Sequence, residues 1–274
     1  MKVAAIQMVS GRSLEANLTW AADLLAQAAQ AGAELVLLPE YFCLLGQVDT
    51  DKLALQERLG QGPIQDFLSD AAQRLGLWIA GGTLPLSIDD SANAQQVFNS
   101  TLVYSPQGQC VARYDKMHLF RFNNGQERYD ESRVLLPGQQ PQMFDLNSRD
   151  GQCWRIGLSI CYDLRFPELY RRYAQDGANL MLVPSAFTYG TGRSHWEVLL
   201  RARAIENLAF VMAAAQGGRH ENGRSTWGHS MLINPWGVVL SELDQGEGVV
   251  VAELDFSLLE QSRAQLPALE HRTL

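Results

Sequence analysis

Along this chain, short runs of aliphatic and β-branched residues, too brief to be helices, alternate with longer stretches of helical periodicity. Val3 to Met8, Leu35 to Leu38, Leu77 to Ala80, Ser100 to Tyr104, Ile156 to Ile160 and Leu180 to Val183 read as strands, most of them apolar on both faces. Between them, Leu14 to Ala31 follows Ser13 as an amphipathic helix, and Ile64 to Leu75 and Phe166 to Gln175 show the same spacing. A further helix from His195 to Asn207 precedes strands at Ala209 to Ala214, Ser230 to Asn234 and Val238 to Leu240, the last two joined by the turn Pro235 to Gly237. This order predicts an α/β protein. With 274 residues, 46% hydrophobic, and no linker, repeat or compositional break, the whole of 1–274 is expected to form a single domain with a full core. The stretch from Leu119 to Gly138 is the main irregular segment, and long loops in compact enzymes often carry function.

Composition narrows the partners. A net charge of -8 offers no basic footprint for nucleic acid, and no apolar run approaches the roughly 20 residues that span a bilayer. MKVAAIQM is too short an apolar run for an export signal. The four cysteines, Cys43, Cys110, Cys153 and Cys161, show neither a CxxC pair nor zinc-type spacing with histidine, so neither a disulfide framework nor a structural metal is expected. A reducing, cytoplasmic setting follows, with small molecules and a second copy of the chain as the expected partners.

Three segments carry reactive side chains. In Leu35-Val36-Leu37-Leu38-Pro39-Glu40 a carboxylate stands just beyond a buried strand, where partial desolvation can raise its pKa toward that of a general base. A solvated strand-end carboxylate is the plainer alternative. In Val111 to Phe120, Lys116 sits among residues expected to be partly buried and could stabilise an oxyanion, or could simply lay its stem over apolar surface. His118 could be a base there, though packing or hydrogen bonding explains a lone histidine as well.

The third segment, Ile156 to Leu169, says most. An apolar strand runs up to Cys161, a turn follows, and Pro167 falls where the first turn of a helix would start. Such a strand-to-helix elbow exposes a nucleophile and aims backbone N–H groups at an oxyanion. A buried, inert thiol is the general alternative. Arg165 could brace the elbow through Glu168 or hold a substrate carboxylate, with Arg193 and Arg219 as further candidates.

Together these segments resemble the nitrilase, or carbon-nitrogen hydrolase, superfamily, in which a Glu after a strand, a later Lys, and a Cys in a C-x-x-x-x-F-P-E elbow occur in this order. The likeness extends from Val3-Ala4-Ala5-Ile6-Gln7 through Gly81-Gly82 to Gly228-His229-Ser230 and Asn234-Pro235-Trp236-Gly237. It implies a four-layer α-β-β-α sandwich, dimerised through helical faces, and metal-free hydrolysis. By position it makes Cys161 the nucleophile, Glu40 the general base and acid, and Lys116 the oxyanion stabiliser, helped by the Tyr162 backbone N–H. A second glutamate before a Pro-Gly is matched by Glu131, with Glu127 as competitor. The segment after Pro184-Ser185, namely Ala186, Phe187 and Thr188, is the expected pocket wall.

Within the superfamily, Ser194 to Glu206 and Ala213 to His220 are most similar to the deaminated glutathione amidases. That implies cleavage of the 2-oxo acid amide to 2-oxoglutarate and cysteinylglycine through a cysteine thioester, a metabolite-repair reaction. Thr83-Leu84-Pro85-Leu86 lacks the acidic residue that many relatives carry near there. An omega-amidase acting on 2-oxoglutaramate is the nearest alternative, followed by a nitrilase and by a catalytically silent metabolite-binding member.

Overall fold

The computed structural model describes residues 1–87, 95–125 and 128–273. Two sheets form its centre. In the first, of eight strands among the described residues, Gly248–Glu253, Lys2–Gln7, Leu35–Leu37, Trp78–Ala80 and Val97–Tyr104 lie side by side, with Leu84–Leu86, Cys110–Asp115 and Leu135–Leu136 also paired to Val97–Tyr104. Lys2–Gln7 pairs in parallel with Leu35–Leu37 and antiparallel with Gly248–Glu253, so strands far apart in sequence meet at one margin of this sheet. The second sheet runs Met143–Asn147, Cys153–Leu158, Leu180–Ser185, Phe210–Ala215, Ser230–Ile233 and Val239–Leu243.

Strand periodicity decides the layers, because successive side chains leave a strand on opposite faces. Ala4, Ile6, Val36, Leu38 and Ile79 pack against helices α1 (Leu14–Gln30) and α2 (Pro63–Leu75). Their neighbours Val3, Ala5, Leu35, Leu37 and Ala80 face the other way, into a core shared with Ile156, Leu158 and Leu182 of the second sheet. Helices α3 (Pro167–Gln175) and α4 (Tyr189–Asn207) complete that core with Tyr170, Tyr173, Trp196 and Leu200. The result is the four-layer α-β-β-α sandwich expected from the resemblance. Ser13 caps α1 by accepting from the Ala16 N–H, and Pro63 and Pro167 open α2 and α3 where a missing N–H costs nothing. The last helix, α5, spans Phe256–Gln265.

Three local expectations need correcting. Helix α4 starts at Tyr189 instead of His195, since Gly190, Thr191 and Gly192 are weak helix formers that hide its first turn from a propensity reading. The segment from Leu119 to Gly138 is not simply a loop: Arg121–Asn123 pairs with Arg128–Asp130, a 3-10 turn covers Glu131–Arg133, and Leu135–Leu136 joins the first sheet. The strand before Cys161 ends at Leu158, and Cys161–Arg165 forms a 3-10 turn. Among the described residues no helix is long and apolar enough to cross a membrane.

Candidate active site

Glu40, Lys116 and Cys161 come from three separate chain segments and meet at one end of the sandwich. Each is set by backbone geometry. Leu38 donates its N–H to Ala80, carrying the chain past the strand to Pro39-Glu40. Behind it passes Gly82, at φ 53°, where any Cβ would collide with the Pro39 carbonyl oxygen. Lys116 has a counterpart in Gly138, whose N–H donates to the Lys116 carbonyl at 2.8 Å and whose missing Cβ leaves room for the Asp115 carbonyl.

Cys161 occupies the left-handed region at φ 48°, a conformation that costs an L-residue roughly 1–2 kcal/mol. Asp163 offsets that cost. Fully buried, its carboxylate accepts from Ile160 N at 2.9 Å, Tyr114 Oη at 2.7 Å and His118 N at 3.0 Å, and meets His118 Nδ1 at 2.7 Å. One side chain thus pins the elbow of Cys161 to the strand that delivers Lys116. His118 is engaged there and stacks on Phe166 with ring centres 3.6 Å apart, which accounts for it structurally.

At the centre, Glu40 is buried and its carboxylate is held at both oxygens. Oε1 accepts from Lys116 Nζ and from Asn99 Nδ2, each at 2.9 Å, and Oε2 accepts from the Ala186 N–H at 2.9 Å. The Lys116 ammonium also donates to Glu131 Oε1 at 2.9 Å. Glu131 is fixed in turn by Tyr41 Oη at 3.1 Å and by the Phe120 N–H at 2.7 Å. Two of the three ammonium hydrogens are therefore committed, leaving one for another acceptor.

Electrostatics follow from this packing. Burial raises the Glu40 pKa, with the Glu131 charge adding to the rise and Lys116 opposing it. Burial works against a charged Lys116, but Glu131 and Glu40 together outweigh it and hold its pKa well above the ordinary lysine value. Burial, reinforced by the Glu40 charge, pushes the Cys161 thiol far up. The resting pair is then a neutral thiol beside a carboxylate whose proton affinity has been increased, the combination that proton transfer during attack requires.

A cavity with two lobes opens over Cys161. Tyr162, Arg165, Phe187 and Thr188 line one, where the Arg165 guanidinium lies 5.8 Å from the Tyr162 ring centre and 5.5 Å from that of Phe187. Glu131, Tyr41, Lys52 and Arg224 line the other, and Ala186 and Thr188 border both. Glu40, Glu131, Cys161, Tyr162, Arg165, Ala186, Phe187 and Thr188 all border this cavity, and Lys116 is bonded to Glu40 and Glu131 at its edge. Arg193 lines a separate groove with His195 and His229, and Arg219 borders neither lobe. Glu127 lies outside the described residues. Cys43 is buried with its pKa raised to about 12, chiefly by burial, while Cys110 and Cys153 are exposed; none borders the cavity. The sequence reading missed Tyr41, Asn99, Asp163, Lys52 and Arg224. Tyr41 and Asp163 stood beside named motif residues, whereas nothing local in the sequence marked the other three.

A buried cysteine, two glutamates and a lysine thus meet at one end of an α-β-β-α sandwich. The chain belongs to the carbon-nitrogen hydrolase family, whose model matches residues 2–264. It is 41% identical over 271 residues to the deaminated glutathione amidase of Synechocystis sp., covering 98% of this chain and 97% of the relative. Among solved structures, Saccharomyces cerevisiae Nit3, described as a member of branch 10 of the nitrilase superfamily, aligns with a TM-score of 0.86 at 30% identity, covering 100% of this chain and 97% of that one. An amidase from Nesterenkonia sp. AN1, described with acrylamide added at its active-site cysteine, aligns at 0.77 and 27% identity over 97% of this chain and 98% of its own. The protein is accordingly a hydrolase of non-peptide carbon-nitrogen bonds in amides.

Proposed function

We propose that the protein hydrolyses the amide of deaminated glutathione to 2-oxoglutarate and cysteinylglycine, with Cys161 as nucleophile. The observation that carries this reading is the Glu40–Lys116–Glu131 cluster beside the Cys161 thiol; the amidase name of the Synechocystis relative supports the substrate.

Glu40 takes the thiol proton as Cys161 Sγ bonds to the amide carbonyl carbon. The oxyanion is met by the uncommitted Lys116 hydrogen and by the Tyr162 N–H, which opens a 3-10 turn where first-turn donors lack intrahelical partners. Glu40 then passes its proton to the nitrogen as the C–N bond breaks, leaving a thioester and a free amine. A water, deprotonated by Glu40, attacks the thioester; the C–S bond breaks and the thiolate recovers the proton. Glu131 holds Lys116 in place throughout, and its charge keeps Glu40 basic. No histidine, metal or cofactor is called upon. The exposed apolar Val198, Ile205, Trp236 and Val238 support a homodimer joined through the α4 side, and the cytoplasm remains the expected compartment.

The test supplies deaminated glutathione and 2-oxoglutaramate separately and follows 2-oxoglutarate, with Cys161→Ala as blank. Preference for the first is expected. Preference for the second would replace the reading with an omega-amidase.

A further inference from the structure

Among the described residues, two cations bordering the cavity, Arg165 in one lobe and Lys52 in the lobe with Glu131, have no carboxylate within ion-pair distance. Lys52 comes from the 3-10 segment Asp49–Leu55, and its ammonium lies 4.6 Å over the Tyr41 ring and 3.5 Å from Tyr41 Oη. Among the described residues no carboxylate comes within ion-pair distance of it, although it is partly buried. Other buried cations here are compensated: Lys116 by two carboxylates, Arg203 by the Leu164 carbonyl and Glu206. Desolvation lowers the Lys52 pKa, with Glu131 and Asp49 acting in the opposite direction from further away. A buried charge without a close counter-ion is costly, and an anion arriving from solvent would relieve that cost.

Arg224 borders the same lobe. It donates through one nitrogen to Asp49 at 3.0 Å and stands 5.4 Å from the Tyr129 ring centre, leaving further donors of its planar fork for a ligand. The lobe is also continuous with the catalytic cluster, because the Tyr41 hydroxyl accepts from Lys52 and donates to Glu131, which holds Lys116. The acyl half of a substrate must stay bound while the amine departs and water attacks, so it belongs in the lobe tied to the groups acting in both steps. The lobe with Arg165 is left for the amine.

We propose that Lys52 and Arg224 form a carboxylate subsite for the acyl half of the substrate, making the protein selective for amides whose acyl chain ends in a carboxylate. This rests on the amidase reading above and names the residues that would enforce its choice of substrate.

The experiment compares glutaramate with pentanamide, which differ in the terminal carboxylate and both release ammonia. In the wild type, kcat/KM is expected to favour glutaramate, and Lys52→Met to reduce that preference by about 10- to 100-fold, mainly through KM. Lys52→Arg should restore most of it, and Arg224→Gln should lower it independently. Glutarate binding to Cys161→Ala, measured by calorimetry, gives a readout free of turnover and should weaken at least about tenfold when Lys52→Met is added. An unchanged preference and unchanged glutarate affinity in a Lys52→Met protein that melts normally would overturn the subsite. A wild type that releases no 2-oxoglutarate from deaminated glutathione, yet binds glutarate in a Lys52-dependent way, would overturn the substrate proposed above and leave the subsite standing.

Discussion

Glu40 and Glu131 share one ammonium: each places a carboxylate oxygen 2.9 Å from Lys116 Nζ, in a site where Lys116 is wholly buried. Two negative charges face one positive charge, so the cluster carries an uncompensated negative charge next to the Cys161 thiol. The excess charge suits proton abstraction and makes the cluster sensitive to pH.

Activity should fall toward acid as Glu40 takes up a proton, with the inflection in kcat/KM above the ordinary carboxylate value of 4.5 because burial raises its pKa. Glu131→Gln removes a charge that raises this pKa and leaves Lys116 wholly to Glu40, so both effects move the inflection to lower pH. A pH–rate profile of the two proteins decides it; an unmoved or rising inflection would separate Glu131 from the titrating unit.

Lys116→Ala leaves two carboxylates facing each other in a buried site and should cost about 3–5 kcal/mol. Protonating either carboxylate relieves the repulsion, so the deficit should shrink as pH falls. Thermal melts of wild type and variant at pH 8 and pH 5 test the sign: the gap in Tm is expected to be larger at pH 8.

Cys161→Ala should abolish turnover, by several orders of magnitude in kcat, with little change in Tm, since the elbow is held by Asp163 rather than by the thiol. Mass spectrometry of the quenched wild type during turnover should find an acyl adduct on Cys161 that the variant lacks. Near-normal turnover by the alanine protein would transfer the nucleophile's role elsewhere.

Gly82→Ala and Gly76→Ala form a matched pair. Both glycines have positive φ, 53° and 65°, but only at Gly82 would a Cβ meet backbone, the carbonyl just before Glu40; at Gly76 nothing lies within 4 Å. Gly76→Ala should lose about 1–2 kcal/mol of stability from its left-handed backbone, and Gly82→Ala more, because its Cβ also meets the Pro39 carbonyl. Only Gly82→Ala should also lower kcat, by as much as about 100-fold, because it displaces the base.

Most of the architecture could be read from the sequence because it rests on periodicity. The fully apolar runs became strands buried on both faces, and the spacing after Ser13 became α1. Two of the missed strands differ in kind. Cys110–Asp115 is exposed or half-buried at every position but Tyr114 and mixes polar with apolar residues, whereas Gly248–Glu253 does contain the apolar run Val249-Val250-Val251-Ala252, which the sequence reading passed over. Residues that stand at strand ends or in the elbow motif, Glu40, Lys116 and Cys161, were visible for the same local reason. Asn99, Lys52 and Arg224 were not, because their importance lies in contacts across 59 residues to Glu40, 11 to Tyr41 and 175 to Asp49, which no local pattern encodes.

The pairing of Lys2–Gln7 with Gly248–Glu253 sets a timetable for biosynthesis. Lys2–Gln7 receives its outer neighbour from residues made about 240 positions later, on the order of tens of seconds at ordinary translation rates. Throughout that interval a strand of Val, Ala and Ile keeps one row of backbone donors and acceptors open, the arrangement through which nascent chains join one another. A ribosome stalled before Gly248 would therefore hold a chain containing every catalytic residue and an unprotected sheet margin, a natural client for a chaperone that shields extended segments.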